Sequence, residues 1–245
     1  MGKSKDGQPV YRRILLKLSG EALQGDPVVG IDPAKLARVG AEIKSIVDLG
    51  VEVAMVIGGG NLVRGSEYCL SGMDRITADQ MGMLATVING LALSDALDKQ
   101  SVPVKVMSAI AVPGLVEFYN RRAAKQALQE GHVVIFSGGT GNPLVTTDSA
   151  AALRGIEVGV DIILKATKVD GVFASDPIKN PKAERYISLT YDEMLEQRLG
   201  VMDLHAVLLC RENALPLRVF NMNKQGALQR IVMGEDVGTL IKGGE

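Results

Sequence analysis

The most constraining feature of this chain is a unit that recurs along it: a short unbroken apolar run, a glycine-bearing loop, then an amphipathic helix. The run Ile14-Leu15-Leu16-Lys17-Leu18 ends at Ser19-Gly20, the run at 51–57 ends at Gly58-Gly59-Gly60, and the run at 132–136 ends at Ser137-Gly138-Gly139. Half-solvated strands alternate apolar and polar residues. These runs do not, so they read as strands covered on both faces. Between the first two lies a helical period, Leu36, Val39, Ile43, Ile46 and Val47, within 33–49. Asp32 suits its N-cap, Pro33 its first position and Gly50 its stop. Further strands are predicted at 102–107, 161–166, 217–220 and 239–241. Helices are predicted at 78–98, 120–129, 148–156, 191–198, 204–214 and 226–232. The alternation predicts an α/β fold with a mainly parallel sheet and helices on both faces. No linker or low-complexity segment divides the chain, so 11–245 reads as a single domain behind a short polar tail, 1–10.

Composition removes several function classes. The chain has 245 residues, 47% hydrophobic, and a formal net charge of −1. That is too apolar and too balanced for disorder. It offers no broad basic footprint, so no nucleic-acid partner is expected. No apolar stretch approaches the roughly 18 residues that span a bilayer, so no membrane partner is expected. Cys69 and Cys210 are the only cysteines, which argues for a reducing compartment rather than a disulfide framework. The first residues lack the apolar core of a signal peptide, and the expected location is cytoplasmic. Gly2 fails the myristoylation pattern because Asp6 stands where Ser or Thr is needed. His132 and His205 have no partners at ligand spacing, so no metal-ligand set can be named.

In an open parallel sheet, ligands bind beyond the carboxyl ends of the strands. Here three such ends are rich in glycine and hydroxyls: Leu18-Ser19-Gly20, Gly58-Gly59-Gly60-Asn61 and Gly138-Gly139-Thr140-Gly141-Asn142. Glycine lets backbone N–H groups approach an anion, and a following helix adds its dipole. One such loop is equally well a simple turn. Three of them, with Lys17 and Arg64 beside two, point to a polyphosphate. Gly2-Lys3-Ser4 lacks the strand and glycine of a P-loop. Val63 and Leu144 occupy the positions where a dinucleotide fingerprint needs glycine. A different phosphate-binding architecture is implied.

Lys17 and Lys165 interrupt otherwise apolar strands. Either each snorkels to water or each is aimed at an anion. The second reading suits phosphoryl transfer, which needs in-line positioning and cations over developing charge. Asp148, at a helix start, reads equally as an N-cap or as the carboxylate holding both lysines.

These residues resemble bacterial UMP kinases of the amino-acid-kinase superfamily. The matching stretches are 11–23, 56–61, 81–86, 139–151, 165–173, 201–204 and 219–222. They include Gly139-Thr140-Gly141-Asn142-Pro143 and Asp170-Gly171-Val172-Phe173. The resemblance covers the chain from Tyr11 to about Leu240. It implies a three-layer αβα sandwich and transfer of the ATP γ-phosphoryl group to UMP with Mg²⁺, in pyrimidine nucleotide biosynthesis. It also implies a homohexamer, with GTP as activator and UTP as inhibitor. It places Lys17, Leu18, Ser19, Gly20, Gly60, Arg64, Thr167, Phe173 and Asp176 at ATP. Gly59, Asp79, Thr140, Gly141, Asn142, Pro143, Leu144, Val145, Thr146 and Thr147 fall at UMP, with Lys17, Lys165 and Asp148 catalytic. Gly25, Asp26, Pro27, Val28, Val29 and Gly30 fall where relatives carry residues linked to GTP. Several members have Gly-Phe where this chain has Val28-Val29, so a GTP response does not follow from the resemblance. Two alternatives stay open on the residues alone: another acceptor on the same fold, such as carbamate or an acyl-amino acid, or a nucleotide- or oxyanion-binding assembly without catalysis.

Overall fold

The computed structural model describes residues 7–25, 30–64, 70–175, 180 and 182–244. Asp26, Pro27, Val28, Val29, Cys69 and Asp176 lie outside these residues. The described strands are β1 (Arg13–Leu18), β2 (Glu52–Ile57), β3 (Val104–Ser108), β4 (Glu117–Phe118), β5 (Val133–Ser137), β6 (Ile162–Thr167), β7 (Ser188–Thr190), β8 (Leu217–Asn221) and β9 (Thr239–Lys242). They form one sheet in the order β4-β3-β5-β2-β1-β6-β8-β9-β7. Every pairing is parallel except β8 with β9. The described α-helices are α1 (Pro33–Val47), α2 (Arg75–Asp98), α3 (Arg121–Gln129), α4 (Thr147–Val158), α5 (Tyr191–Glu196), α6 (Leu204–Glu212) and α7 (Ala227–Val232), and a 3-10 turn spans Gly20–Leu23.

Side chains of successive strand residues enter opposite layers. In β1, Ile14, Leu16 and Leu18 join a core with Val39, Ile43 and Leu93, while Leu15 joins a second core with Ala150, Ala151 and Val207. Both faces of the sheet are therefore covered, which is why its strands read as continuous apolar runs. Among the described residues, no helix is long and apolar enough to cross a membrane.

The expected elements are present with shifted ends. The second long helix starts at Arg75 rather than Ala78, because the Asp74 side chain accepts from Thr77 N and caps it three residues earlier. The third strand begins at Val104 rather than Val102, because Val102 still closes the helix end, donating to Leu97 O. β4 and β7 were not anticipated. They have two and three residues, too short for an apolar run to register.

Candidate active site

β1 lies at the centre of the sheet, between β2 and β6. Its register with β6 sets Lys17 directly opposite Lys165. Both side chains point to the same face, because parallel partners in register share a face. Two ammonium groups on neighbouring strands repel each other unless an anion lies between them. Asp148 supplies it. Its Oδ1 lies 2.6 Å from Lys17 Nζ and its Oδ2 lies 2.6 Å from Lys165 Nζ. The three side chains are 10–14% exposed. Lys165 Nζ also donates to the Val201 carbonyl. The N-cap reading of Asp148 is thereby corrected. Thr146 caps α4, its hydroxyl accepting from Asp148 N at 3.1 Å and Ser149 N at 3.3 Å. The Asp148 carboxylate, two residues beyond the cap, is left to bridge the lysines.

Burial pushes the Asp148 carboxyl up, but the two ammonium groups outweigh it and hold it below the ordinary carboxylate range. Burial pulls Lys165 below its ordinary 10.5, against Asp148, which pulls it up. The triad of two lysines and one carboxylate carries a net positive charge beneath the strand ends, where an anion is needed to balance it.

Three cavities lie near the strand ends, the first of them lined by both lysines of the triad. The first, about 1170 Å³, is lined by Lys17, Ser19, Arg64, Lys165 and Thr167. Glu21 gathers two cations at its mouth: Lys168 Nζ at 2.9 Å and Arg64 at 3.8 Å. The second, about 480 Å³, is lined by Thr167, Val169, Phe173, Leu199 and Val219. The third, about 160 Å³, is lined by Gly59, Asp79, Asn142, Val145, Thr146 and Thr147, with Gly82 and Thr86 from α2. Leu18 is fully buried, so it offers only main-chain atoms, and its carbonyl already accepts from Gly58 N at 2.9 Å. Thr140, Gly141, Pro143 and Leu144 do not line the third cavity. The Leu144 N–H donates to Asp79 Oδ2 at 2.9 Å, tying that loop to a residue of the cavity lining. Gly59 is demanded by close approach: a Cβ there would lie 2.6 Å from the Gly82 carbonyl and 2.9 Å from Ala85 Cβ.

Residue reasoning missed Asp203. It caps α6 through Ala206 N at 3.0 Å and also accepts from the Ser149 hydroxyl at 2.9 Å and from the Thr146 hydroxyl. It thus ties α6 to the turn that carries Asp148. An Asp just before the apolar period at Leu204 was a visible cap signal, but its second role depends on contacts 54 and 57 residues away.

A model of the amino acid kinase family matches residues 12–221. A uridylate kinase of Pseudomonas paraeruginosa (strain DSM 24068 / PA7) is 60% identical over 237 residues, 97% of each chain. One from Marinobacter nauticus is 57% identical over 242 residues, 99% of this chain and 100% of that one. Among solved structures, a UMP kinase from Bacillus anthracis superposes with a TM-score of 0.92 at 45% identity, covering 95% of this chain and 96% of that one. A uridylate kinase from Archaeoglobus fulgidus superposes at 0.70 and 27% identity, covering 93% and 99%.

Proposed function

Because the chain belongs to the amino acid kinase family and is a UMP kinase, we propose that Lys17, Lys165 and Asp148 carry transfer of the ATP γ-phosphoryl group to UMP. The observation behind this reading is the pair of buried lysines on adjacent strands, joined by one carboxylate. In the reaction an oxygen of the UMP phosphate forms a bond to the γ-phosphorus as the bond to the β–γ bridging oxygen breaks, giving UDP and ADP. Charge spreads over the equatorial oxygens of the moving group, and the two ammonium groups stabilise it there. Asp148 is the positioning group. With both oxygens engaged by lysines, it holds their heads at the reacting phosphorus.

The three cavities support a division of labour. Lys17, Ser19 and Arg64, which line the first cavity, take the ATP phosphates; Gly20 and Leu18 adjoin them in the chain, Leu18 contributing backbone only, and Gly60, which lines the third cavity, lies between the two nucleotides. Thr167 and Phe173, in the second cavity, take the adenosine. Gly59, Asp79, Asn142, Val145, Thr146 and Thr147 take UMP, and Thr140, Gly141, Pro143 and Leu144 shape the loop around it. Among the described residues, no cluster of three acidic, cysteine or imidazole side chains surrounds one point. Mg²⁺ in this reading is held by triphosphate oxygens and water, and when bound it neutralises charge on the donor phosphates. Leu84 and Ile88, about half exposed one turn apart on α2, support self-association, and a homohexamer is the assembly proposed. UTP inhibition, acting in the cytoplasm at a step of pyrimidine synthesis, belongs to the same reading, whereas a GTP response does not follow from it, because Val28-Val29 replace the Gly-Phe of several relatives.

A panel of UMP, CMP, dTMP, carbamate and acetylglutamate with Mg²⁺–ATP, followed by ADP formation, tests the acceptor. UMP is the expected acceptor. Turnover confined to another one overturns the assignment of the third cavity, and ATP binding without turnover overturns catalysis. The pH profile tests Lys165. Its protonated form is the stabilising one, and burial lowers its pKa below 10.5, so kcat is expected to fall as pH rises through that lowered value. In Lys165→Arg, whose guanidinium stays charged, this alkaline limb should disappear. A limb retained in that variant assigns the titration elsewhere.

A further inference from the structure

Two asparagines outside the catalytic triad are almost wholly enclosed: Asn89 of α2 at 0% exposure and Asn61 at 1%. They face each other as a reciprocal amide pair. Asn89 Nδ2 donates to Asn61 Oδ1 at 2.7 Å, and Asn61 Nδ2 donates to Asn89 Oδ1 at 3.1 Å. Each amide also donates to a backbone carbonyl: Asn89 to Gly58 O at 2.7 Å and Asn61 to Gly30 O at 2.9 Å. An asparagine amide has two N–H donors, and all four are used here. The return bond from Gly30 N to Asn61 O, at 3.0 Å, fastens Gly30 from both sides.

The pair stands where two loops touch. A Cβ on Gly20 would lie 2.5 Å from Asn61 Oδ1, 2.7 Å from Gly58 O and 2.9 Å from Gly60 N. No slack separates the 19–20 loop from the 58–60 loop. The opposite side of the 58–60 loop rests on α2, at Gly82 and Ala85. That same helix presents Asp79 to the third cavity. A core needs no polar pair to be packed, and a buried amide left unmatched is costly. A fully matched pair gives a direction-specific joint that apolar contact does not.

We propose that Asn89 and Asn61 are positioning residues for phosphoryl transfer, their amide pair setting the spacing between the 19–20 loop at the donor and the 58–60 loop, whose Gly59 and Gly60 line the acceptor cavity. The proposal rests on the donor and acceptor assignment made above. The joint touches no substrate. It acts through Gly58 and Gly20, so its loss disturbs the relation between two bound substrates rather than the binding of either. Misplacement of reacting groups by about 1 Å costs up to about 10²-fold in rate.

The test is Asn89→Leu in the full-length chain, read by kcat, by separate calorimetric titrations with ATP and with UMP, and by thermal melting. The expected result is a folded protein that binds each nucleotide within about threefold of the native chain, with kcat lower by about 10- to 100-fold. A folded variant with native kcat overturns the proposal. So does one whose loss lies entirely in nucleotide affinity. Asn89→Asp provides the second reading, because it keeps the shape and one acceptor. A buried carboxyl stays protonated to higher pH than a free one, and in that form it donates one hydrogen bond to Gly58 O. Its kcat relative to the native chain is therefore expected to recover as pH falls. A ratio independent of pH, or failure of both variants to fold, makes the pair a core element only and overturns the positioning role. Ratios are taken with whichever acceptor the native chain uses, so failure of the UMP assignment shows in the native chain alone.

Discussion

Turnover of the Lys17→Ala variant is expected to fall by about 10²- to 10³-fold, the usual cost of removing one positioned donor of transition-state charge, while the fold is left intact or made firmer. The two halves of this expectation have one cause. The native triad places two ammonium groups against one carboxylate, all three side chains at most 14% exposed. With Lys17 absent, Asp148 and Lys165 remain as a balanced pair, and the excess buried positive charge is gone. That charge serves only when phosphate is present. Melting temperature without nucleotide should therefore be unchanged or raised, while the upward shift produced by saturating ATP should shrink. A variant that turns over like the native chain sinks the role given to Lys17. One that loses activity only in proportion to lost folded protein sinks it equally.

Asp148→Ala is expected to fail in the opposite way. It leaves two buried ammonium groups facing each other with no anion between them. Removing one partner of a buried ion pair costs about 3–5 kcal/mol, enough to consume much of a typical domain's stability. The pH dependence identifies the cause. The folded-state pKa of Asp148 is depressed, because Lys17 and Lys165 outweigh the effect of burial. Its stabilising contribution is thus fully present above the unfolded carboxyl value of about 3.9. It is lost as pH falls through the depressed folded value. The stability gap between native and variant, measured by denaturant titration, should be widest near neutrality and should close in acid. A gap that does not change with pH would attribute the loss to packing rather than charge. Asp148→Asn should be intermediate, because it keeps an acceptor oxygen but no charge.

The two variants separate a pair of jobs that sit within a few ångströms. Lys17 is held in place at some cost to the resting protein, and it functions when an anion arrives. Asp148 stabilises the resting protein and, by the same contacts, fixes where both lysine heads point.

Several of these features are legible in the sequence. Lys17 and Lys165 stood out because a lysine in a continuous apolar run needs a reason to be there. The loops at 58–60 and 138–142 stand out because runs of glycine end the apolar segments before them. The N-cap of α1 at Asp32 was read from local chemistry, and its carboxylate does accept from Ala34 N at 2.7 Å. Local signals misplaced the start of α2, where Asp74 was not recognised as the cap, and left Asp148 with two equal readings. They gave no hint of Asn89, which looks like an ordinary polar residue within a long helix, 28 positions from its partner Asn61.

By itself, the sequence determined seven of the nine described strands, that both faces of them are covered, and that cations and glycine loops collect at their carboxyl ends. Those properties follow from side-chain hydrophobicity and backbone freedom, which act over a few residues. Only the tertiary structure decided that β1 lies between β2 and β6, that Lys17 and Lys165 share one register position, and that Asp148 rather than solvent faces both. Strand order and register are set by the simultaneous packing of two helical layers against the sheet. The energy of that arrangement is shared among residues more than a hundred positions apart, so no local pattern carries it.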